Sequence, residues 1–227
     1  MAEQLIFDLP HRTARGKENY FVSPANAMAV VQVEDWRNWP SGKMILVGPE
    51  ASGKTHLATV WADQTGGHMI EARDVIDADI PDLVTHPALI VENADRIAGD
   101  RGAEEALFHL HNLALAEARP LLLSARSAPL QWGLTLPDLL SRMSATATAT
   151  LGAPDDALLA ALLVKQFADR QLTVPPRLIP YLAGRMERSF AAVKTVVNAL
   201  DAAALSTGRK IGERLAAEVL ENAFPQP

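Results

Sequence analysis

The sequence contains no cysteine, and this absence excludes both a disulfide framework and any metal or redox centre built on thiolates. A long apolar run is also missing. A membrane-spanning helix needs about 18 consecutive apolar residues, and no stretch of this sequence approaches that length. Residues 1–20 also contain no apolar segment of signal-peptide length. These absences predict a cytoplasmic protein with no membrane partner.

Clusters of basic residues are missing as well. The 21 Lys and Arg residues are scattered among 27 Asp and Glu residues, and the net charge is −6. A protein that holds DNA by itself usually presents a basic face, so we expect any contact with DNA to be indirect. Hydrophobic residues make up 48% of the 227 residues, which is enough for the core of one large domain or two small ones.

Three continuous apolar runs in the first two thirds of the chain predict buried strands, because parallel strands that are covered on both faces lack the usual alternation. Helical patterns lie between these runs, and strands that alternate with helices form a parallel α/β sheet with right-handed crossovers. The predicted strands cover residues 43–47, 88–91 and 121–123, and the predicted helices cover residues 54–64 and 103–118.

Two acidic residues, Glu104 and Glu105, occupy the first turn of the second predicted helix. The positive end of the helix dipole favours negative charge there. We interpret both as solvent-exposed side chains rather than as a pair of catalytic acids.

The pattern changes near Gly152, and only helical patterns follow. Asp155 and Ser189 are expected to cap the first and third of four helices. The sequence therefore predicts an α/β base (20–152) followed by a small all-helical lid (153–227), with a flexible arm (1–19) in front. The predicted lid helices cover residues 155–170, 175–185, 189–205 and 211–223.

The segment from Gly48 to Thr55 fits the P-loop pattern GxxxxGK[ST] without a mismatch. The glycines allow a tight turn whose N–H groups converge on phosphates, and the following helix adds its positive dipole end. Lys54 is expected to contact the β- and γ-phosphates, and Thr55 is expected to bind Mg²⁺ through its hydroxyl. A surface turn with an incidental lysine is the alternative, but the flanking strand and helix argue against it.

A second motif, Leu89 to Asp95, is typical of a Walker B strand, which is an apolar strand that ends in an acid. Glu92 lies at the carboxyl edge of the sheet, where ligands bind in open α/β folds, and it is a candidate ligand of Mg²⁺. The next position is Asn93. Because an amide cannot accept a proton at neutral pH, we expect intrinsic hydrolysis to be slow. A strand end with solvated polar residues is the competing interpretation.

The chain resembles the DnaA-type AAA+ proteins, and among them the short Hda-type proteins that promote inactivation of DnaA. The resemblance covers almost the whole chain and rests on three segments. These are GPEASGKTHLA (48–58), ALIVENADRIAG (88–99) and LLLSARSAPLQWGLTLPDLLSRM (121–143), the last being the most specific. The fold that the resemblance implies is a P-loop AAA+ base with a helical lid, without the DNA-binding domain of DnaA.

The resemblance also implies roles for individual residues. Arg142 corresponds to the arginine finger, and Ser124 and Arg126 lie at a strand end similar to sensor 1. ADP or ATP with Mg²⁺ is the implied ligand. The expected nucleotide-binding residues are Gly48, Pro49, Glu50, Ala51, Ser52, Gly53, Lys54, Thr55, His56, Ser124 and Arg188, and the expected metal ligands are Thr55 and Glu92.

One departure concerns sensor 2, where the family has an arginine and this chain has Ala191. Arg188 lies three residues earlier, close to one helical turn. Two interpretations stay open for Arg188, a substitute for the missing sensor-2 arginine or a solvated arginine of the lid.

The arm contains a peptide similar to the one with which Hda-type proteins bind the DNA sliding clamp. Gln4 would form hydrogen bonds with the clamp, and Leu5, Phe7 and Leu9 would fill apolar pockets. The alternative is a segment that packs on the protein's own base.

Three functions remain open. The first is a clamp-tethered regulator that stimulates ATP hydrolysis by DnaA in trans and so inactivates the initiator. The second is a self-assembling AAA+ ATPase that acts as a replication initiator or loader factor, and the third is a small-molecule P-loop kinase. The sequence leaves open the oligomeric state, the working nucleotide and whether any intrinsic ATPase activity exists.

Overall fold

The centre of the fold is a parallel β-sheet of five strands in the order β2-β3-β4-β1-β5. The structure is a computed structural model, and it describes residues 21–223. The predicted α/β fold with a parallel sheet is confirmed, although the two short edge strands, β2 and β5, were not predicted. The strands are β1 (Lys43–Val47), β2 (His68–Glu71), β3 (Leu89–Glu92), β4 (Leu121–Ala125) and β5 (Thr148–Thr150).

Helices cover both faces of the sheet, which explains the continuous apolar runs in its central strands. Ile45 of β1 joins a buried cluster with Leu107 and Leu139 on one face. The next residue, Leu46, joins a separate cluster with Trp61 on the other face, as the alternation of side chains along a strand requires. The helices of this part are α1 (Ala27–Glu34), α2 (Lys54–Thr65), α3 (Ile80–Leu83), α4 (Arg101–Ala116) and α5 (Pro137–Ser144).

Four further helices enclose a buried apolar cluster of their own. The predicted caps are present, since Asp155 accepts a hydrogen bond from the N–H of Leu158 and Ser189 accepts one from Ala192. The second helix begins later than predicted, because residues before it form a turn closed by the Leu178 N–H and the Pro175 carbonyl. These helices are α6 (Asp156–Asp169), α7 (Leu178–Ala183), α8 (Phe190–Thr207) and α9 (Glu213–Ala223).

The prediction for Glu104 is wrong. Its side chain is fully buried, whereas Glu105 is exposed, as predicted, and pairs with Arg101 at 2.6 Å. The helical pattern of α4 gives no sign of the loop before α5, and this loop covers Glu104 in the folded chain. Within residues 21–223, no helix is long and apolar enough to cross a membrane.

Candidate functional site

The P-loop connects the end of β1 to the start of α2, and its shape depends on two glycines. A Cβ atom on Gly48 would lie 2.6 Å from the Leu151 carbonyl oxygen and 2.6 Å from Oγ of Ser52, which leaves no room for a side chain. Gly53 has φ +94°, in the left-handed region that favours glycine. The motif therefore has the glycines that its backbone requires.

The side chain of Lys54 folds back over this loop. Its ammonium donates hydrogen bonds to the carbonyls of Gly48 and Pro49, both at 2.7 Å. Burial lowers the pKa of Lys54, while the carboxylates of Asp95, Glu50 and Glu92 oppose that shift. The lysine is thus held against the loop, and its contact with a polyphosphate remains a prediction.

Thr55 and Glu92, the two expected metal ligands, lie together beside the loop. The side chains of Thr55 and Glu92 are hydrogen-bonded, and burial of Glu92 at the end of β3 raises its pKa. Among the described residues, Oε1 of Glu92 is buried without a hydrogen-bond partner, and so is Oγ of Ser52. A carboxylate and a hydroxyl are ligands suited to Mg²⁺. The residues present therefore fit a Mg–nucleotide complex, although binding itself remains a prediction.

Asn93 occupies the position at which a catalytic acid would be expected. It has φ 56° and ψ 42°, and its N–H donates to Oγ of Ser124 at 3.0 Å. Its amide nitrogen lies 3.1 Å and 3.0 Å from the two carboxylate oxygens of Glu71, at the end of β2. Ser124 is buried, and its hydroxyl holds this turn in place. Its expected role in nucleotide binding remains a prediction.

One pair of residues at this sheet edge was not predicted as a pair. Nε of Arg126 lies 2.6 Å from Oδ2 of Asp95, and the hydrogen bond and charge of Asp95 raise the pKa of Arg126. The other oxygen of Asp95, Oδ1, is buried without a partner among the described residues. The sequence signal for this pair is that Arg126 directly follows β4 and Asp95 lies three residues after β3, and the carboxyl ends of these neighbouring parallel strands meet at one edge.

The start of α8 in the helical lid contacts the P-loop directly. The N–H of Phe190 donates to the carbonyl of Ala51 at 3.1 Å, and a Cβ on Gly53 would lie 3.1 Å from the Phe190 ring. Ala191, at the expected sensor-2 position, carries no charge. Arg188 pairs instead with Asp156 of the lid at 2.8 Å, and both side chains are mostly exposed. In this arrangement Arg188 faces the lid, and its nucleotide contact remains a prediction.

Arg142 is exposed and lies near the end of α5. Its carbonyl accepts hydrogen bonds from Oγ1 of Thr146 at 2.8 Å and from Nζ of Lys43 at 3.5 Å. Lys43 is the first residue of β1, and the P-loop follows the last one. Because a strand rises by about 3.3 Å per residue, about 16 Å separates Lys43 from the P-loop. Strand side chains stand roughly perpendicular to the sheet. Arg142 is therefore near the sheet edge that is formed by the amino-terminal ends of the strands. Its own P-loop lies at the opposite edge, where the strands end.

Within residues 21–223, Arg142 forms no ion pair. The remaining expected residues lie in or next to the P-loop segment and in the arm. Glu50, the third residue of the P-loop segment, and His56, the residue after it, are exposed. The expected clamp-binding residues, Gln4, Leu5, Phe7 and Leu9, lie outside the described residues.

Comparison with known proteins supports the fold. No family model matches the sequence. The structure is similar to domain III of the Thermotoga maritima replication initiation protein DnaA, with a TM-score of 0.79 and 17% identity over 92% of this chain and 96% of that chain. It is also similar to AMPPCP-bound DnaA from Aquifex aeolicus, with a TM-score of 0.66 and 17% identity over 81% of this chain and 64% of that chain.

A third similar structure is the replication initiator DnaA bound to AMPPCP and single-stranded DNA. Its TM-score is 0.63, with 16% identity over 91% of this chain and 79% of that chain. These likenesses show that the chain has the same fold as these DnaA structures.

Proposed function

We propose that this chain is a nucleotide-binding regulator of chromosome replication initiation, which stimulates ATP hydrolysis by the DnaA initiator in trans and so inactivates it. The observation that carries this proposal is the position of Arg142. It is exposed, it forms no ion pair within residues 21–223, and it lies near the sheet edge opposite to its own P-loop. An arginine placed in this way can serve a neighbouring molecule's nucleotide site.

The regulator's own site would bind ADP or ATP through Gly48–Thr55. Support comes from the glycine-dependent loop and from the AMPPCP bound to two proteins of the same fold. Thr55 and Glu92 would hold Mg²⁺, which would offset phosphate charge. The start of α8 would cover the phosphates, because Phe190 already contacts the loop at Ala51 and Gly53.

Hydrolysis at this site would be slow. Asn93 cannot act as a base, and both oxygens of the nearest carboxylate on β2, that of Glu71, are engaged by the Asn93 amide. Ala191 also provides no cation. The bound nucleotide would therefore serve mainly to fix the conformation of base and lid, and turnover would occur in the partner.

In the partner's site, Arg142 would donate hydrogen bonds from its guanidinium to the oxygens of the transferring phosphoryl group. A planar fork of donors that never loses its proton is suited to this charge. Arginine fingers supplied in trans typically contribute about 10³–10⁵-fold in rate. The arm, through Gln4, Leu5, Phe7 and Leu9, would tether the regulator to the sliding clamp, so that contact with DNA is indirect.

A self-assembling AAA+ ATPase, acting as a replication initiator or loader factor, is the second candidate. A specific observation favours it, since a P-loop at one sheet edge and an exposed Arg142 near the other allow copies to associate head to tail. Such an assembly would hydrolyse ATP by itself, with a rate that rises with protein concentration.

The deciding experiment is a reconstitution with purified DnaA, sliding clamp and DNA. The regulator should hydrolyse ATP very slowly alone and should accelerate hydrolysis by DnaA when the clamp is loaded on DNA. A rapid, concentration-dependent ATPase of the isolated chain, without any effect on DnaA, would favour the self-assembling alternative.

A further inference from the structure

Helix α5, which carries Arg142, has a buried charged side chain at each end. Glu104 of α4 lies at its beginning and Lys43 of β1 lies at its end, and both are at least nine-tenths buried. The signs match the helix dipole, because the carboxylate faces the N-terminus and the ammonium faces a carbonyl of the last turn.

The carboxylate of Glu104 binds two separate segments. It accepts hydrogen bonds from the N–H groups of Leu136 at 2.6 Å and Thr135 at 2.9 Å, and from the Thr135 hydroxyl at 3.0 Å. These three bonds go to Oε2 of Glu104. Its other oxygen, Oε1, accepts a hydrogen bond at 2.9 Å from the N–H of Gly99, which lies in the loop that follows the Walker B strand. Glu104 thus joins the start of α5 to the segment beside the nucleotide site.

Glu104 is held by hydrogen bonds rather than by an opposite charge. Among the described residues no ion pair includes it. Burial raises the pKa of Glu104, but the hydrogen bonds from Gly99, Thr135 and Leu136 outweigh that effect and lower it overall. The group therefore remains a carboxylate, which can accept all of these bonds at once.

Lys43 fixes the opposite end of α5. Its ammonium lies 2.8 Å from Nε2 of His111 and 3.5 Å from the carbonyl oxygen of Arg142, which Thr146 also contacts. A charged lysine has only donors, so Nε2 of His111 accepts and the imidazole is neutral. Nδ1 then donates to Oδ1 of Asn112 at 3.2 Å.

Burying a charge is costly, and a hydrophobic pair could pack the same helix without it. Hydrogen bonds at both ends of the helix have a further effect, because they fix how far α5 can shift along its axis and how far it can rotate about that axis. A finger must meet a partner's phosphate within a fraction of an ångström, so the geometry of its helix matters more than its stability.

We propose that Glu104 and Lys43 are positioning residues for Arg142, and that they hold α5 at both ends so that the guanidinium is preorganised before the partner binds. This inference rests on the proposed function of Arg142 in trans and adds residues that never touch the nucleotide.

The test compares Glu104→Gln and Lys43→Met with matched controls, Glu105→Gln on the next position of α4 and Lys194→Met on the exposed side of α8. In the reconstituted assay, Glu104→Gln and Lys43→Met should lower the maximal stimulated rate at least about 10-fold, given that a 1 Å misplacement can cost about 10²-fold. The concentration of regulator for half-maximal stimulation should stay within about twofold, since docking is unchanged. The controls should match the wild type.

A purely structural role is distinguished by combining each variant with Arg142→Ala. Residues that act through Arg142 should cause no further loss in that background, whereas independent effects would multiply. Full stimulation by Glu104→Gln and Lys43→Met, or multiplied losses with Arg142→Ala, would overturn the proposal. If Glu104→Gln fails to fold, Thr135→Val removes only one donor to the same carboxylate and takes its place.

Amide hydrogen exchange of residues 138–144 separates this inference from the proposed function. Both variants should speed exchange in α5 while leaving α2 unchanged. If the wild type never stimulates DnaA, the proposed function fails, and the exchange rates still decide whether Glu104 and Lys43 fix the helix.

Discussion

The ammonium of Lys43 lies 2.8 Å from Nε2 of His111, and both side chains are buried beneath α5. Burial, followed by the charges of Lys43 and Arg142, lowers the pKa of His111 to about 4, although its hydrogen bond to Asn112 opposes the shift. The folded protein therefore keeps His111 neutral at a pH at which the unfolded chain would protonate it.

This difference predicts a loss of stability in mild acid. The unfolded pKa of histidine is about 6.5, so His111 contributes its full stability above that pH. The contribution should decline as the pH falls from about 6.5 to about 4, by about 3 kcal/mol in total. Denaturant unfolding at several pH values would measure it. In His111→Leu, the decline of the free energy of unfolding with falling pH should be smaller by that amount. The control variant His109→Leu, at an exposed position, should show the same pH dependence as the wild type. Equal slopes in all three proteins would contradict the prediction.

The parts of the fold that depend only on residues close together in the sequence could be predicted. The P-loop spacing, the apolar runs of β1, β3 and β4, and the caps Asp155 and Ser189 depend on neighbours within a few residues. Each of these was predicted, with shifts of one or two residues at strand ends.

Long-range partners could not be predicted from such features. Glu104 looks like a solvated first-turn acid until the loop at Thr135 folds over it, 31 residues away. Asp95 and Arg126 are likewise 31 residues apart. The short edge strands β2 and β5 lack a continuous apolar run because they are less fully covered than the central strands.

Lys54→Ala should abolish binding of ADP and ATP, because the phosphates lose their principal cation and the loop loses the two bonds to Gly48 and Pro49. We expect the dissociation constant measured by calorimetry to rise at least about 100-fold, a loss of roughly 3 kcal/mol. Lys194→Ala, in the exposed part of α8, is the control. Unchanged affinity in Lys54→Ala would remove the P-loop from the proposed site.

Replacing Gln4, Leu5 and Phe7 together by Ala should eliminate binding to the sliding clamp, since these side chains supply the proposed hydrogen bond and two of the three apolar anchors. Nucleotide affinity and melting temperature should not change. Pull-down with purified clamp measures the complex. If the triple variant binds the clamp normally, or if its melting temperature falls, the arm has another role.

The last prediction concerns Arg142. Because its side chain is exposed and unpaired within residues 21–223, Arg142→Ala should leave the melting temperature, ADP affinity and clamp binding unchanged. Stimulation of ATP hydrolysis by DnaA should nevertheless fall at least about 100-fold, a conservative share of a trans-acting finger's contribution. Arg142→Lys should also be poor, because a point charge lacks the planar fork. Arg185→Ala, an exposed lid arginine, controls for loss of one positive charge.

A structural role for Arg142 predicts a different result. Asp138 lies four residues earlier on the same helical face, and a pair between them would make Arg142→Ala lower the melting temperature, with stimulation falling only in proportion. The structure contains no such pair within the part of the chain that it describes. A variant with normal stability and normal stimulation would show that Arg142 is neither a finger nor a structural partner. The mechanism directed at DnaA would then be wrong.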